Sequence, residues 1–73
     1  MLQNIIVKID QNTYLFSLKD KEGEYPKDIL KILLKNLLLG ANKDESDFIY
    51  SLSDYFGKDN FTLTSMNKRI LEV

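Results

Sequence analysis

The sequence contains neither cysteine nor histidine, and these two absences exclude much of the chemistry that proteins perform. Without cysteine there is no disulfide and no thiolate metal site, so no covalent link reinforces the fold. Without histidine the chain lacks the commonest general base and the commonest metal ligand. No spacing of the remaining carboxylates, lysines, tyrosines or serines indicates a catalytic site. We therefore expect a protein that is not an enzyme and needs no cofactor.

An excess of charge is also missing, because ten basic residues stand against eleven acidic ones and the net charge is −1. Proteins that bind nucleic acids are typically basic, and acidic mimics of DNA carry a strong negative excess. The balance favours a protein partner and makes nucleic acid the less favoured one.

No apolar run is long enough to cross a membrane. The most apolar stretch, residues 26–40, is shorter than the roughly 20 residues that a bilayer requires, and Lys31 and Lys35 interrupt it. No basic segment precedes the short apolar run at residues 5–7, so the start of the chain does not resemble a secretory signal. We expect a cytoplasmic protein without membrane contact.

The same stretch, residues 26–40, predicts a central helix. Pro26 suits a first helical turn, and Gly40 suits the position just past a helix end. Helical periodicity places one group of side chains on a broad apolar face and leaves a second group on or beside the charged side. The face comprises Ile29, Leu30, Leu33, Leu34 and Leu37, and the surplus comprises Ile32, Leu38 and Leu39. Either the rest of the fold covers this surplus or a partner does, so a homodimer remains open.

Two strands are predicted before this helix. Residues 4–10 and 13–19 alternate apolar and polar side chains and are joined by a turn over Asp10-Gln11-Asn12, which predicts a hairpin. Residues 20–25 form an acidic loop that lacks the spacing of a calcium-binding loop, so we expect it to be solvated.

A second helix is predicted from about residue 43 to residue 56, closed by Gly57. Asn42 and Glu45 have the spacing of a capping box, in which each side chain bonds the other residue's backbone N–H. Residues 60–64 and 69–73 then read as strands, with a single bent strand over the whole tail as the alternative. The order β-β-α-α-β-β indicates one α+β domain over residues 1–73, with an antiparallel sheet and a helical pair packed on one face.

The outer face of the second helix is the best candidate for a binding surface. Asp47, Tyr50 and Asp54 are three and four residues apart and therefore adjacent, and Asp44 extends the acidic patch. Exposed tyrosine is common at the energetic centres of interfaces. These four residues are predicted to contact a basic protein, unless the face is simply solvated.

The alternative is a small nucleic-acid-binding transcriptional regulator. The helix pair has the outline of a winged helix-turn-helix, although its second helix is acidic and would be repelled by phosphates. Tyr14, Phe16 and Phe61 could stack on bases if they lay on an open sheet, but they are more simply explained as core residues. We favour a small non-enzymatic protein-interaction module. In size and style alone it resembles the accessory proteins of phages and mobile elements, which include inhibitors that bind host proteins.

Overall fold

The computed structural model describes residues 1–66 as two layers, a three-stranded antiparallel sheet and a pair of helices on one of its faces. In chain order these are strands β1 (Leu2–Ile9) and β2 (Asn12–Lys19), helices α1 (Lys27–Gly40) and α2 (Glu45–Phe56), and strand β3 (Phe61–Ser65). The α+β class and the order β-β-α-α-β are confirmed. The strand predicted for residues 69–73 lies outside the described residues.

Strand β2 is the centre of the sheet and pairs with β1 on one side and with β3 on the other. The predicted hairpin is confirmed: Ile9 lies opposite Asn12, and the two residues between them form the turn. Asp10 adopts a left-handed φ of 56° there, which aspartate tolerates better than most residues. The register aligns Ile5, Phe16 and Leu63 across the three strands, so alternate residues of every strand face the helices.

The core lies between that sheet face and the helices. Phe16, Leu30, Phe48 and Leu52 are its largest fully buried side chains. Beside them lies a group of aromatic rings around Phe56, whose ring centroid is 5.8 Å from that of Phe16. Tyr14, Phe16 and Phe61 face the helices, which confirms the prediction that these strand aromatics belong to the core. One sheet face is thereby fully used for folding.

Helix α1 ends differently from the sequence prediction. Gly40 still belongs to the helix, and the two residues after Ala41, Asn42 and Lys43, adopt left-handed φ angles of 54° and 57°. The N–H groups of Asn42 and Lys43 bond the carbonyl oxygens of Leu39 and Leu38, both at 3.0 Å. This pair of bonds is the Schellman arrangement, which satisfies the last free carbonyl groups of a helix. Asparagine can replace glycine here because it is the other residue that adopts left-handed φ at low cost.

The start of α2 also differs, because the predicted capping box of Asn42 and Glu45 does not form. Asp44 is the N-cap, and its carboxylate accepts a hydrogen bond of 3.0 Å from the backbone N–H of Asp47. Glu45 instead accepts a hydrogen bond from the hydroxyl of Tyr14, which joins the sheet to the first turn of α2. That bond to the carboxylate, together with burial, raises the pKa of the Tyr14 hydroxyl.

The loop before α1 was expected to be solvated, and for Asp20 this is wrong. Asp20 is only 4% exposed, and its carboxylate accepts hydrogen bonds of 2.9 and 3.0 Å from the N–H groups of Glu24 and Tyr25. Burial alone would raise the pKa of Asp20, but these backbone bonds and the Gln3 side chain outweigh it and hold the pKa below its usual value. Asp20 therefore folds the loop back on itself.

Candidate protein-binding surfaces

The outer face of α2 presents the predicted cluster to solvent. Asp47, Tyr50 and Asp54 are all exposed, and they follow one another at helical spacings of three and four residues. The Tyr50 side chain is 74% exposed, the highest exposure of any large hydrophobic residue within elements β1 to β3. We call these three residues the acidic tyrosine face. Within residues 1–66, the packing of the core does not involve these three side chains.

Asp44, the fourth predicted site residue, lies at the beginning of the helix rather than on this face. It is exposed, but one of its oxygens already accepts the Asp47 N–H. An N-cap aspartate also interacts favourably with the positive end of the helix dipole. Asp44 thus has a structural role of its own, and it adds charge near the acidic tyrosine face without belonging to it.

Helix α1 keeps an uncovered apolar surface. Leu30 and Leu34 are buried, whereas Ile29, Ile32 and Leu39 are 55%, 59% and 56% exposed. Ile29 was predicted to lie on the buried face, and it is exposed instead. Ile32 and Leu39 were predicted to lie outside the buried face of the helix. This is confirmed, because the rest of the described fold does not cover them.

A groove lies between the outer edge of β1 and helix α1. It has a volume of about 310 Å³ and is lined by Ile5, Ile6, Val7 and Lys8 of the strand and by Lys31, Leu34, Lys35 and Leu38 of the helix. Sequence analysis missed this groove. The lysines at positions 31 and 35 are one helical turn apart and could have suggested a basic stripe. Nothing in the sequence, however, indicated that β1 would lie beside that stripe.

The sheet face away from the helices is open and carries no aromatic side chain within the described strands. Its apolar residues include Leu2 and Ile6, which are 58% and 52% exposed, and the half-buried Leu15. The register groups Ile6 with Leu15 and Thr64. A platform for stacking bases requires aromatic rings on such a face, and these rings point the other way. The geometry therefore gives no support to nucleic-acid binding through the sheet.

Comparisons of this chain with protein-family models, with curated proteins and with solved structures found no match. Over residues 1–66, no three acidic residues lie close enough together to hold a metal ion. Neither helix in this part of the chain has the length and apolar character needed to cross a membrane.

Proposed function

We propose that this chain is a small non-enzymatic protein-interaction module that binds a basic surface of another protein through the acidic tyrosine face. One observation carries the proposal: the 74% exposed ring of Tyr50 lies between two exposed aspartates, one helical turn away on either side. Nothing else in the described fold requires an aromatic residue at this position.

Physical chemistry supports this pairing of residue types. A tyrosine can bury a large apolar ring while its hydroxyl remains hydrogen-bonded, which explains its frequency at the centres of interfaces. Asp47 and Asp54 would attract lysine or arginine side chains of the partner and fix their orientation around the ring. Residues 44–57 contain four acids and no base, so no positive charge of this segment offsets the attraction.

The test begins with capture of partners from a lysate of the native host, before and after nuclease treatment, followed by binding measurements with the purified candidate. Replacing Asp47→Asn, Tyr50→Ala and Asp54→Asn together is expected to weaken binding at least about 30-fold, since loss of a hot spot costs about 2 kcal/mol or more. These side chains are exposed, so the thermal unfolding curve should hardly change.

A matched control removes two negative charges elsewhere. Glu22→Gln with Glu24→Gln changes two exposed acids of the loop before α1 and should leave the affinity nearly unaltered. Unchanged affinity of the triple variant would overturn the role of the acidic tyrosine face. Capture that depends on nucleic acid, and binding that weakens steeply with salt, would instead favour the alternative of a nucleic-acid-binding regulator.

The proposal extends to the manner of action: a cytoplasmic accessory protein of a phage or mobile element that inhibits a host protein by covering one of its surfaces. The small size of the chain and its lack of cysteine and histidine support this proposal. Once the partner is purified, its activity is expected to fall in proportion to the fraction bound. Full activity of the saturated partner would contradict inhibition while leaving the binding itself intact.

A further inference from the structure

The groove between β1 and α1 has a charge opposite to that of the acidic tyrosine face. Lys8 lies on its strand side and Lys31 and Lys35 on its helix side, and all three are exposed. No carboxylate of the described residues lines the groove. An occupant that is negatively charged would therefore meet three cations at close range without a competing anion among the lining residues.

Among residues 1–66, the strand side of the groove is an edge of the sheet with backbone groups that no other strand pairs. The backbone N–H of Lys19 donates a hydrogen bond of 2.8 Å to the carbonyl oxygen of Asn60. The N–H of Met66 donates one of 2.9 Å to the carbonyl oxygen of Thr13. The odd-numbered residues of β2 therefore bond towards β3. Since bonding direction alternates along a strand, the even-numbered residues of β2 bond towards β1.

The register then identifies the groups at the free edge. Phe16 and Tyr14 lie opposite Ile5 and Val7, so these two residues of β1 use their backbone groups within the sheet. Ile6 and Lys8 consequently direct their N–H and C=O groups outward, away from β2. No strand within residues 1–66 pairs with them. Such an edge is a template for one more strand.

The helix side supplies an apolar surface for alternate side chains of that strand, chiefly through the half-buried Leu38, because Leu34 is only 3% exposed. Leu34 and Leu38 lie on the same stripe of α1 as the two lysines, at spacings of three and four residues. An added strand would point every second side chain towards α1 and the others towards the open sheet face. The side chains that point towards the open sheet face would lie beside Ile6 and Lys8 of β1.

We propose that this groove binds an extended acidic segment of a partner protein, which adds to the sheet as a fourth strand along β1. The segment would carry apolar residues in its middle, against Leu38, and acidic residues towards its ends, near Lys8, Lys31 and Lys35. Backbone hydrogen bonds to Ile6 and Lys8 would supply much of the affinity, and the charges would select the sequence. This site is independent of the acidic tyrosine face.

The charges argue against a second copy of the chain in the same place. Pairing two β1 edges around a two-fold axis would bring the lysines of both grooves together, and such like-charge contacts are unfavourable. A helical ligand fits poorly for a different reason, because it would leave the outward backbone groups of Ile6 and Lys8 covered without partners.

The test uses the full chain and a synthetic peptide with the sequence Ac-DEVIVDE-amide. Titration calorimetry measures its affinity, and NMR measures amide hydrogen exchange in the labelled protein. Binding is expected to slow exchange of the amides of Ile6 and Lys8 selectively, because these groups become hydrogen-bonded to the peptide. A peptide in which every second amide is N-methylated should not bind in the register that directs the methylated amides towards β1, because these amides can no longer donate hydrogen bonds.

Charge reversal gives the matched comparison. Lys31→Glu with Lys35→Glu is expected to weaken the affinity for the acidic peptide at least about tenfold. Lys21→Glu with Lys58→Glu changes the same charge at exposed positions outside the groove and should have a much smaller effect. The triple variant of the acidic tyrosine face should bind the peptide normally, so failure of either proposal leaves the other testable.

Several results would overturn the proposal. These are absence of peptide binding, equal affinity for the lysine analogue Ac-KKVIVKK-amide, and binding without slower exchange at Ile6 and Lys8. A concentration-dependent dimer that the peptide dissociates would show that a second copy is the natural occupant. Tighter binding of a short single-stranded oligonucleotide, abolished by the same two lysine substitutions, would assign the groove to nucleic acid.

Discussion

The two helices have similar lengths but are covered to different degrees. Helix α1 is rich in leucine and isoleucine, yet only Leu30 and Leu34 are fully buried in it. Helix α2 has fewer aliphatic residues and buries Phe48, Leu52 and Phe56. Apolar content therefore does not determine burial here, because what matters is which side of a helix meets the sheet and the other helix.

The two helices also differ in the kind of surface that they expose. On α2 the outward residues include the acidic tyrosine face and one aliphatic side chain, Ile49, which is 38% exposed. On α1 the outward residues include Ile29 and Ile32, both more than half exposed, and the lysines of the groove. Ile29, which looks like a core residue in the sequence, is thus one whose removal should affect folding little.

The largest expected effect compares one residue of each helix. Phe48→Ala removes a fully buried ring and should cost about 3–5 kcal/mol, which is similar to the net stability of a domain this small. Ile32→Ala changes a 59% exposed side chain and should alter the free energy of unfolding by less than about 0.5 kcal/mol. Urea unfolding followed by circular dichroism measures both. A large and concentration-dependent loss for Ile32→Ala would indicate that this residue is covered by association.

A smaller effect is expected where the two helices meet in the chain. Asn42→Ala removes the short polar side chain that makes left-handed φ tolerable at the end of α1, which should cost up to about 1–2 kcal/mol. Asp44→Ala removes the N-cap of α2 and should cost about 1 kcal/mol.

The controls for this pair retain the function of each residue. Asn42→Gly and Asp44→Ser should both remain close to the native stability, since glycine accepts left-handed φ and serine is a good N-cap. If Asn42→Gly is as unstable as Asn42→Ala, the side chain of Asn42 has a role besides its conformation.

The smallest expected effect concerns Asp20, in the loop before α1, and it changes with pH only in the acidic range. The pKa of Asp20 is lowered in the folded state, so its stabilising contribution is complete above the ordinary aspartate pKa of about 3.9 and is lost as the pH falls through the folded value. The Asp20→Asn variant should therefore be less stable than the native chain at pH 7, and this difference in stability should decrease towards pH 2. Thermal unfolding at several pH values measures this. A gap that is independent of pH would show that titration of Asp20 does not contribute.

Much of the fold could be predicted from sequence because its signals are local. Alternating side chains in β1 and β2 indicated the hairpin. Helical spacing predicted an apolar face of α2 made of Phe48, Ile49, Leu52, Tyr55 and Phe56, and this is wrong for Ile49 and Tyr55, which are 38% and 52% exposed. Helix ends were predicted less well, since several nearby residues can fulfil the same capping function. Gly40 and Asn42 both tolerate left-handed φ, so the residue types at the end of α1 do not distinguish between the two positions.

The binding surfaces show the limits of such prediction more clearly. The acidic tyrosine face lies on a single helix, so helical spacing alone brought Asp47, Tyr50 and Asp54 together. The groove combines Lys8 with Lys31 and Lys35, which come from elements far apart in the chain. No local pattern reveals that juxtaposition, and the buried position of Asp20 likewise depends on contacts that form only when the loop folds.

The central position of β2 has a consequence for the order in which the chain folds. Its pairing with β1 closes a two-residue turn, whereas its pairing with β3 must close a loop that contains both helices. Contacts between residues distant in sequence form slowly, because chain entropy is lost before they are gained. We expect the hairpin to be established early and β3 to join last. An intermediate without β3 would expose Phe16 and Leu18 along one edge, and that edge is where the folding chain is most open to aggregation.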